Sequence, residues 1–221
     1  HLVLDEADRM LDMGFLPEIR RIIAKLPTRR QTLFFSATMP PPIAALAGEM
    51  LRDPVSIQKQ QQAAPPSGIT QAVYPVPQDI KAALIVDLLR RKTMTQALIF
   101  TRTKHRANRL ADYLVQAGIR AGRIHGNRSQ SQRTSALAGF KNGTFPVLVA
   151  TDIAARGIDV NELGHVVNFD VPQVPDDYVH RVGRTGRAEA TGEAFTFVSP
   201  EEEGNLRAIE RAIGKGLPRV T

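Results

Sequence analysis

The chain has 221 residues, 43% of them hydrophobic, which admits one large domain or two small ones with a sizeable core. It has no Cys, which excludes disulfides and thiolate metal sites, and no signal peptide or membrane-length apolar run, so a cytoplasmic protein without a membrane partner is expected. The net charge of +7 is uneven: residues 1–60 hold 8 Lys+Arg against 7 Asp+Glu, and the remainder holds 21 against 15, so a polyanion surface is expected in the later part.

In chain order, His1–Leu4 is a short apolar run that reads as a buried strand and ends in acids. A piece of a longer protein is expected from such a start. Residues 8–26 carry helical periodicity, interrupted near Gly14 and Pro17. Gln31–Phe35 reads as a second strand, Ile43 to about Leu51 as a helix opened by prolines, and Val55–Ile57 as a third short strand. Residues 58–68 are rich in Gln, Pro and Ala without apolar periodicity, which suits an interdomain linker.

From Ile69 strands and helices alternate. Strands are expected near 71–76, 97–100, 123–125, 147–150, 165–169 and 193–198. Helices are expected near 79–91, 104–117, 131–140, 175–182 and 200–213. Such alternation predicts an α/β fold, with a parallel sheet covered by helices on both faces.

Several short stretches carry chemistry. Asp5-Glu6-Ala7-Asp8 follows a strand, where one carboxylate can hold Mg²⁺ through water and the next can orient or deprotonate an attacking water. An acidic first turn complementing the helix dipole would look similar. Ser36-Ala37-Thr38 is by itself a turn or cap signal, and gains weight from following the next strand. Leu98–Lys104 and His125-Gly126 with Gln130 and Arg133 are strand ends opening into helices with early cations, a form that suits phosphate or a solvated helix face.

Thr151–Asp159 again ends an apolar strand, and Asp159 is suited to ribose hydroxyls, or to a cap or ion pair. His180–Arg187 places arginines at every third position with two glycines between them, a fork suited to phosphate oxygens or an exposed basic helix end. His105, His165 and His180 have no metal-ligand spacing. With no Trp, 3 Tyr and 9 Phe, base stacking is poorly served and sequence-independent backbone recognition fits better.

Taken together, Asp5–Asp8, Ser36–Thr38, Thr151–Asp159 and His180–Arg187 resemble, in this order, motifs II, III, V and VI of DEAD-box ATP-dependent RNA helicases. His1–Phe15, Phe100–His105 and Val149–Gly157 look closest to the bacterial RhlE-type branch. The resemblance implies two RecA-like domains that close over ATP and RNA. Residues 1–57 would be the back part of the first, 58–68 the linker, and 69–221 the second.

It also implies roles. Asp5 would help hold Mg²⁺, mainly through water, and Glu6 would handle the attacking water. Asp8, Ser36, Thr38, Arg156 and His180 would couple the domains. Asp159 would meet the ATP ribose, and Arg184 and Arg187 the γ-phosphate. Thr103, Gly126, Arg133 and Thr151 would line the RNA backbone. One departure stands out: no G-x-x-x-x-G-K-[ST] occurs, so this stretch alone is expected not to hydrolyse ATP and to bind RNA weakly. The N-terminal segment, short of strand partners, is expected to seek another copy as a homodimer. The alternatives are a non-catalytic RNA-binding or annealing module, and a DNA helicase of the same superfamily.

Overall fold

Two runs without a polar side chain, Ala97–Phe100 (β4) and Val147–Ala150 (β6), form neighbouring strands in which every residue is buried. Only a sheet covered on both faces needs strands of that kind. The computed structural model describes residues 1–12, 14–58, 68–155, 163–186 and 191–220, and divides into two units, His1–Gln62 and Ala63–Thr221.

The second unit is built on a six-stranded, all-parallel sheet in the order β3-β8-β7-β4-β6-β5. The outer and flanking strands are β3 (Ile69–Pro75), β5 (Ala121–Ile124), β7 (His165–Asn168) and β8 (Gly192–Val198). Alternation along them sorts the core by face. Ile99, Val149, Val167 and Phe197 meet α4 (Lys81–Arg90) and α5 (Lys104–Gln116). On the other face Leu98, Leu148 and Val166 meet α6 (Gln130–Lys141), while Ala194 and Val198 meet α8 (Pro175–Val182) and α9 (Glu203–Ile213). The α/β sheet flanked by helices is therefore as expected.

The first unit holds a parallel pair, β1 (Leu2–Leu4) and β2 (Thr32–Phe34), with α1 (Ala7–Asp12), α2 (Leu16–Ile23) and α3 (Pro41–Met50). The helical pattern of residues 8–26 is divided between α1 and α2 at Gly14, whose φ of 78° only glycine adopts cheaply. Val55–Ile57 does not form the strand expected of it. No strand pairs with it among the described residues, and Val55 and Ile57 are 88% and 91% exposed. A further helix, α7 (Asp152–Ala155), follows β6, and the 200–213 helix opens with a 3-10 turn over Pro200–Glu202. Of the linker segment, 59–67 lie outside the described residues. Among the described residues no helix is long and apolar enough to cross a membrane.

One charge lies in the middle of this core. Lys81, fully buried at the start of α4, donates through Nζ to the carbonyls of Phe169 and Phe197 at 2.9 Å each and to the Glu202 carboxylate. Burial pulls its pKa down, opposed by Glu202 and Asp170. Removing one partner of a buried pair strands the other charge in low dielectric. Lys81→Met is therefore expected to destabilise the second unit by about 3–5 kcal/mol, read as a lower denaturant midpoint at unchanged slope.

Candidate functional site

The sheet register places the ends of three adjacent strands in one row. Phe100, Ala150 and Ile124 are Cα partners, so the residues just beyond them share the C-terminal edge. That edge is where open α/β sheets hold ligands. Thr101–Thr103, Thr151 and His125-Gly126 all lie there, and the structure brings the expected Thr103, Gly126 and Thr151 together in this sense.

Local chemistry fixes each position. Thr103 caps α5, its hydroxyl accepting from Arg106 N at 3.2 Å. Thr151 is buried, donates its N–H to Ile124 O at 3.3 Å, and accepts at its carbonyl from Ala154 N and Ala155 N. A Cβ on Gly126 would meet nothing within 4 Å, so the surface there is open. Arg133, on α6, donates to Gln130 Oε1 at 3.2 Å and to Ala154 O at 3.3 Å. Its Nε is shielded from solvent without a protein acceptor, as is Arg128 Nε.

His125 lies below this surface at 1% exposure, with Nε2 2.9 Å from Asn108 Oδ1 and Nδ1 without a partner. Burial, then the charges of Arg128, Arg123, Lys104 and His105, pulls its pKa down.

The arginine motif leaves α8 at its C-terminus. His180 lies in the last turn and Arg184 just beyond it, both half-buried and both engaged by neighbours. The turn after Arg184 has little room. Gly186 has φ 64°, and Thr185 donates to Leu163 O. A Cβ built on Gly192 would overlap Thr185 Oγ1 and lie 2.7 Å from Gly186 N. Arg187, Arg156 and Asp159 lie outside the described residues.

Sequence reasoning missed the residue that anchors this helix. Arg181 is 3% exposed, and its fork meets Asp152 at 2.6 and 2.8 Å while NH1 reaches Asn168 Oδ1 at 3.2 Å and Asp170 O at 2.8 Å. The arginine spacing hinted at a fork, but its acidic partner lies 29 residues away.

In the first unit the acidic and small-hydroxyl stretches converge because β1 and β2 pair in register. Phe35 N donates to Leu4 O at 2.8 Å, and Ala7 N to Phe35 O at 3.1 Å. Asp8 then accepts at Oδ2 from Thr38 N at 2.8 Å and from Thr38 Oγ1 at 2.7 Å. Ser36 Oγ accepts from Asp8 N at 3.2 Å and donates to Thr38 O at 2.7 Å. Burial alone would raise the Asp8 pKa. The bonds from Thr38, Arg9 N and Ser36 outweigh it and hold the carboxyl below its ordinary value.

Asp5 is exposed and accepts from Glu6 N at 2.9 Å. Glu6 has φ 51°, a left-handed conformation that a residue with a Cβ keeps only under constraint from its surroundings. Among the described residues no cluster of three or more His, Asp or Glu is placed to hold a metal ion.

His125 makes stability depend on pH. Its folded pKa is depressed, so the unfolded chain takes up the proton first, and stability falls as pH drops below the ordinary value of 6.5. His125→Gln should flatten that dependence, checked by urea unfolding at about pH 7.5 and about pH 5.5.

Residues 80–189 match the helicase conserved C-terminal domain family, and residues 1–46 match the DEAD/DEAH box helicase family. The DEAD-box ATP-dependent RNA helicase CshA of Geobacillus kaustophilus (strain HTA426) is 45% identical over 219 residues, 99% of this chain and 47% of the relative. The chain thus spans about half the length of the curated relatives it matches. The CshA name lends no support to the RhlE-type branch expected above. S. cerevisiae Dbp5 bound to RNA and ADP BeF3 superposes with a TM-score of 0.87 at 31% identity, covering 99% of this chain and 59% of that one. The E. coli DEAD-box protein SrmB, solved bound to the regulator of ribonuclease activity A (RraA), has a TM-score of 0.65 at 36% identity over 69% of this chain. This chain covers 89% of SrmB as solved, and with two helicase families matching in tandem it belongs to the DEAD-box ATP-dependent RNA helicase family.

Proposed function

We propose that the chain is part of an ATP-dependent RNA helicase that remodels RNA, and that its second unit grips the RNA backbone. The observation that carries the reading is the row of Thr103, Thr151 and Gly126 along one sheet edge, with Arg133 bonded to Ala154 O and Arg128 N to His125 O beside it. Backbone N–H groups, hydroxyls and guanidinium forks are donors to phosphate oxygens and are indifferent to sequence. Dbp5 was solved with RNA bound, which supports the same reading.

For nucleotide chemistry, Glu6 orients or deprotonates the attacking water. Arg184 and Arg187 meet the terminal phosphate, a contribution of about 10³–10⁵ in rate for such arginines. Asp159 contacts the ribose. Asp8, Ser36 and Thr38 form the cluster through which hydrolysis is felt, with His180 and Arg156 as its counterparts.

Asp5 is the proposed Mg²⁺ residue. An exposed carboxylate at a strand end, without a three-carboxylate cage among the described residues, fits an ion held mostly through water and phosphate oxygens. When bound, that ion neutralises charge developing on the phosphate oxygens.

In the first unit the sheet face is apolar and open, with Val3 57% and Phe35 51% exposed. A pocket of about 670 Å³ is lined by Leu33, Met50, Val55 and Ile57. We propose that this face pairs with a second copy when the chain is isolated. Sedimentation should then give a dimer mass, and a monomer with β1 and β2 protected from hydrogen exchange would refute the pairing.

The decisive test combines both ligands on one preparation. The chain should bind single-stranded RNA with a slope of log K against log salt of about −0.7 per phosphate, hence about −2 to −3.5 for three to five contacts. Arg133→Gln should reduce the slope by about 0.7. No ATP turnover should accompany binding, because the sequence lacks a phosphate-binding loop. RNA-stimulated phosphate release abolished by Glu6→Gln, or binding that ignores salt, would overturn the reading.

A further inference from the structure

We infer that Asp170 is a positioning residue that ties the Thr103 loop to the helix carrying His180 and Arg184, so that RNA contact at one is transmitted to the other. The inference rests on the RNA reading given above.

Asp170 lies just past β7 and is 1% exposed. All three of its oxygens are engaged. Oδ2 accepts from Arg102 N and from Arg106 Nε, each at 2.8 Å. Oδ1 accepts from Arg106 NH2 at 2.6 Å. Its carbonyl accepts from Arg181 NH1 at 2.8 Å. One residue thus joins the backbone just before Thr103, the first turn of α5, and the anchor of α8.

Arg181 extends the connection to Asp152, which directly follows Thr151. Two positions proposed to touch RNA, Thr103 and Thr151, therefore meet at Arg181, next to His180 and one turn before Arg184. Charge-assisted bonds of 2.6–2.8 Å in a part-buried setting are short and directional, so the joined parts move together. The Arg181 guanidinium also lies 5.2 Å from the Phe100 ring centroid, which fixes its plane.

A second carboxylate keeps this neighbourhood standing when Asp170 is altered. Glu202 Oε1 accepts from Arg102 NH2 and from Val171 N, both at 3.1 Å. Substituting Asp170 therefore loosens one link without releasing the loop altogether. Asp170→Asn keeps the shape and puts an amide, with its own hydrogens, against Arg102 N–H or the Arg106 guanidinium.

The test uses this chain, a fluorescent uridine-rich single-stranded RNA, and side-chain Nε–Hε NMR of its arginines. In the native chain RNA should shift the Arg184 resonance. In Asp170→Asn, RNA affinity should fall by no more than about threefold, while the Arg184 response falls by more than about half. Ile209→Val, a core change in α9, should lower stability and leave the response intact, which a merely structural role for Asp170 would not allow. If Asp170→Asn does not fold, Arg106→Ala removes two of the carboxylate's bonds from the outer side of α5 and should give the same loss. An Arg184 resonance that ignores RNA, or that responds equally in the variants, overturns the coupling alone. A native chain that binds no RNA overturns the functional reading and this inference with it.

Discussion

Six strands running the same way impose the arrangement on which everything else in the second unit depends. A parallel sheet cannot be closed by hairpins, so each strand is followed by a crossover on one face. Every β-to-α turn therefore falls on one edge. Phe100, Ala150 and Ile124 being register partners, the residues after them are neighbours whatever their separation in sequence. Hydroxyls, glycine and cations drawn from three distant stretches become one surface in this way. In the first unit the same logic works with only two strands, and Asp8 meets Ser36 and Thr38 because β1 and β2 are aligned.

Behind that edge lies a set of paired charges, with Lys81, Arg181, Asp170 and Glu202 buried and Arg102 exposed. Lys81, Arg102, Arg106 and Arg181 face Glu202, Asp170 and Asp152. Ion pairs of this kind repay little of their desolvation in stability, and replacing both partners together by apolar groups often does as well, unlike removing one alone. What they supply is direction. A guanidinium fork donates to its carboxylate in one orientation, whereas a leucine packs in several. The charges therefore define where the strand-edge loops sit more than whether the sheet folds.

Much of the fold was legible in the sequence because its signals are local. The apolar runs of β4 and β6 announce strands buried on both faces, and Gly14 announces the break between α1 and α2. Val55–Ile57 misled because apolar character describes a strand's side chains and says nothing of whether a neighbour offers hydrogen bonds. The four-residue α7 was too short to show periodicity. Asp8, Ser36 and Thr38 could be picked out as motifs, yet their mutual bonds are visible only in the fold. Arg181, Asp170 and Asn108 escaped for the same reason: each takes its meaning from a partner well away along the chain. The constraint on Glu6 shows only in its backbone angle.

Gly192 fits closely against Thr185 and Gly186. The strand brings no side chain to that contact with the arginine turn, so the height of the turn above the sheet is set by a missing carbon. Charge and location are thereby separable at this spot. One added methyl would lift the turn while every guanidinium kept its protons and its partners' signs, giving a way to ask how far an arginine can stray before it stops serving.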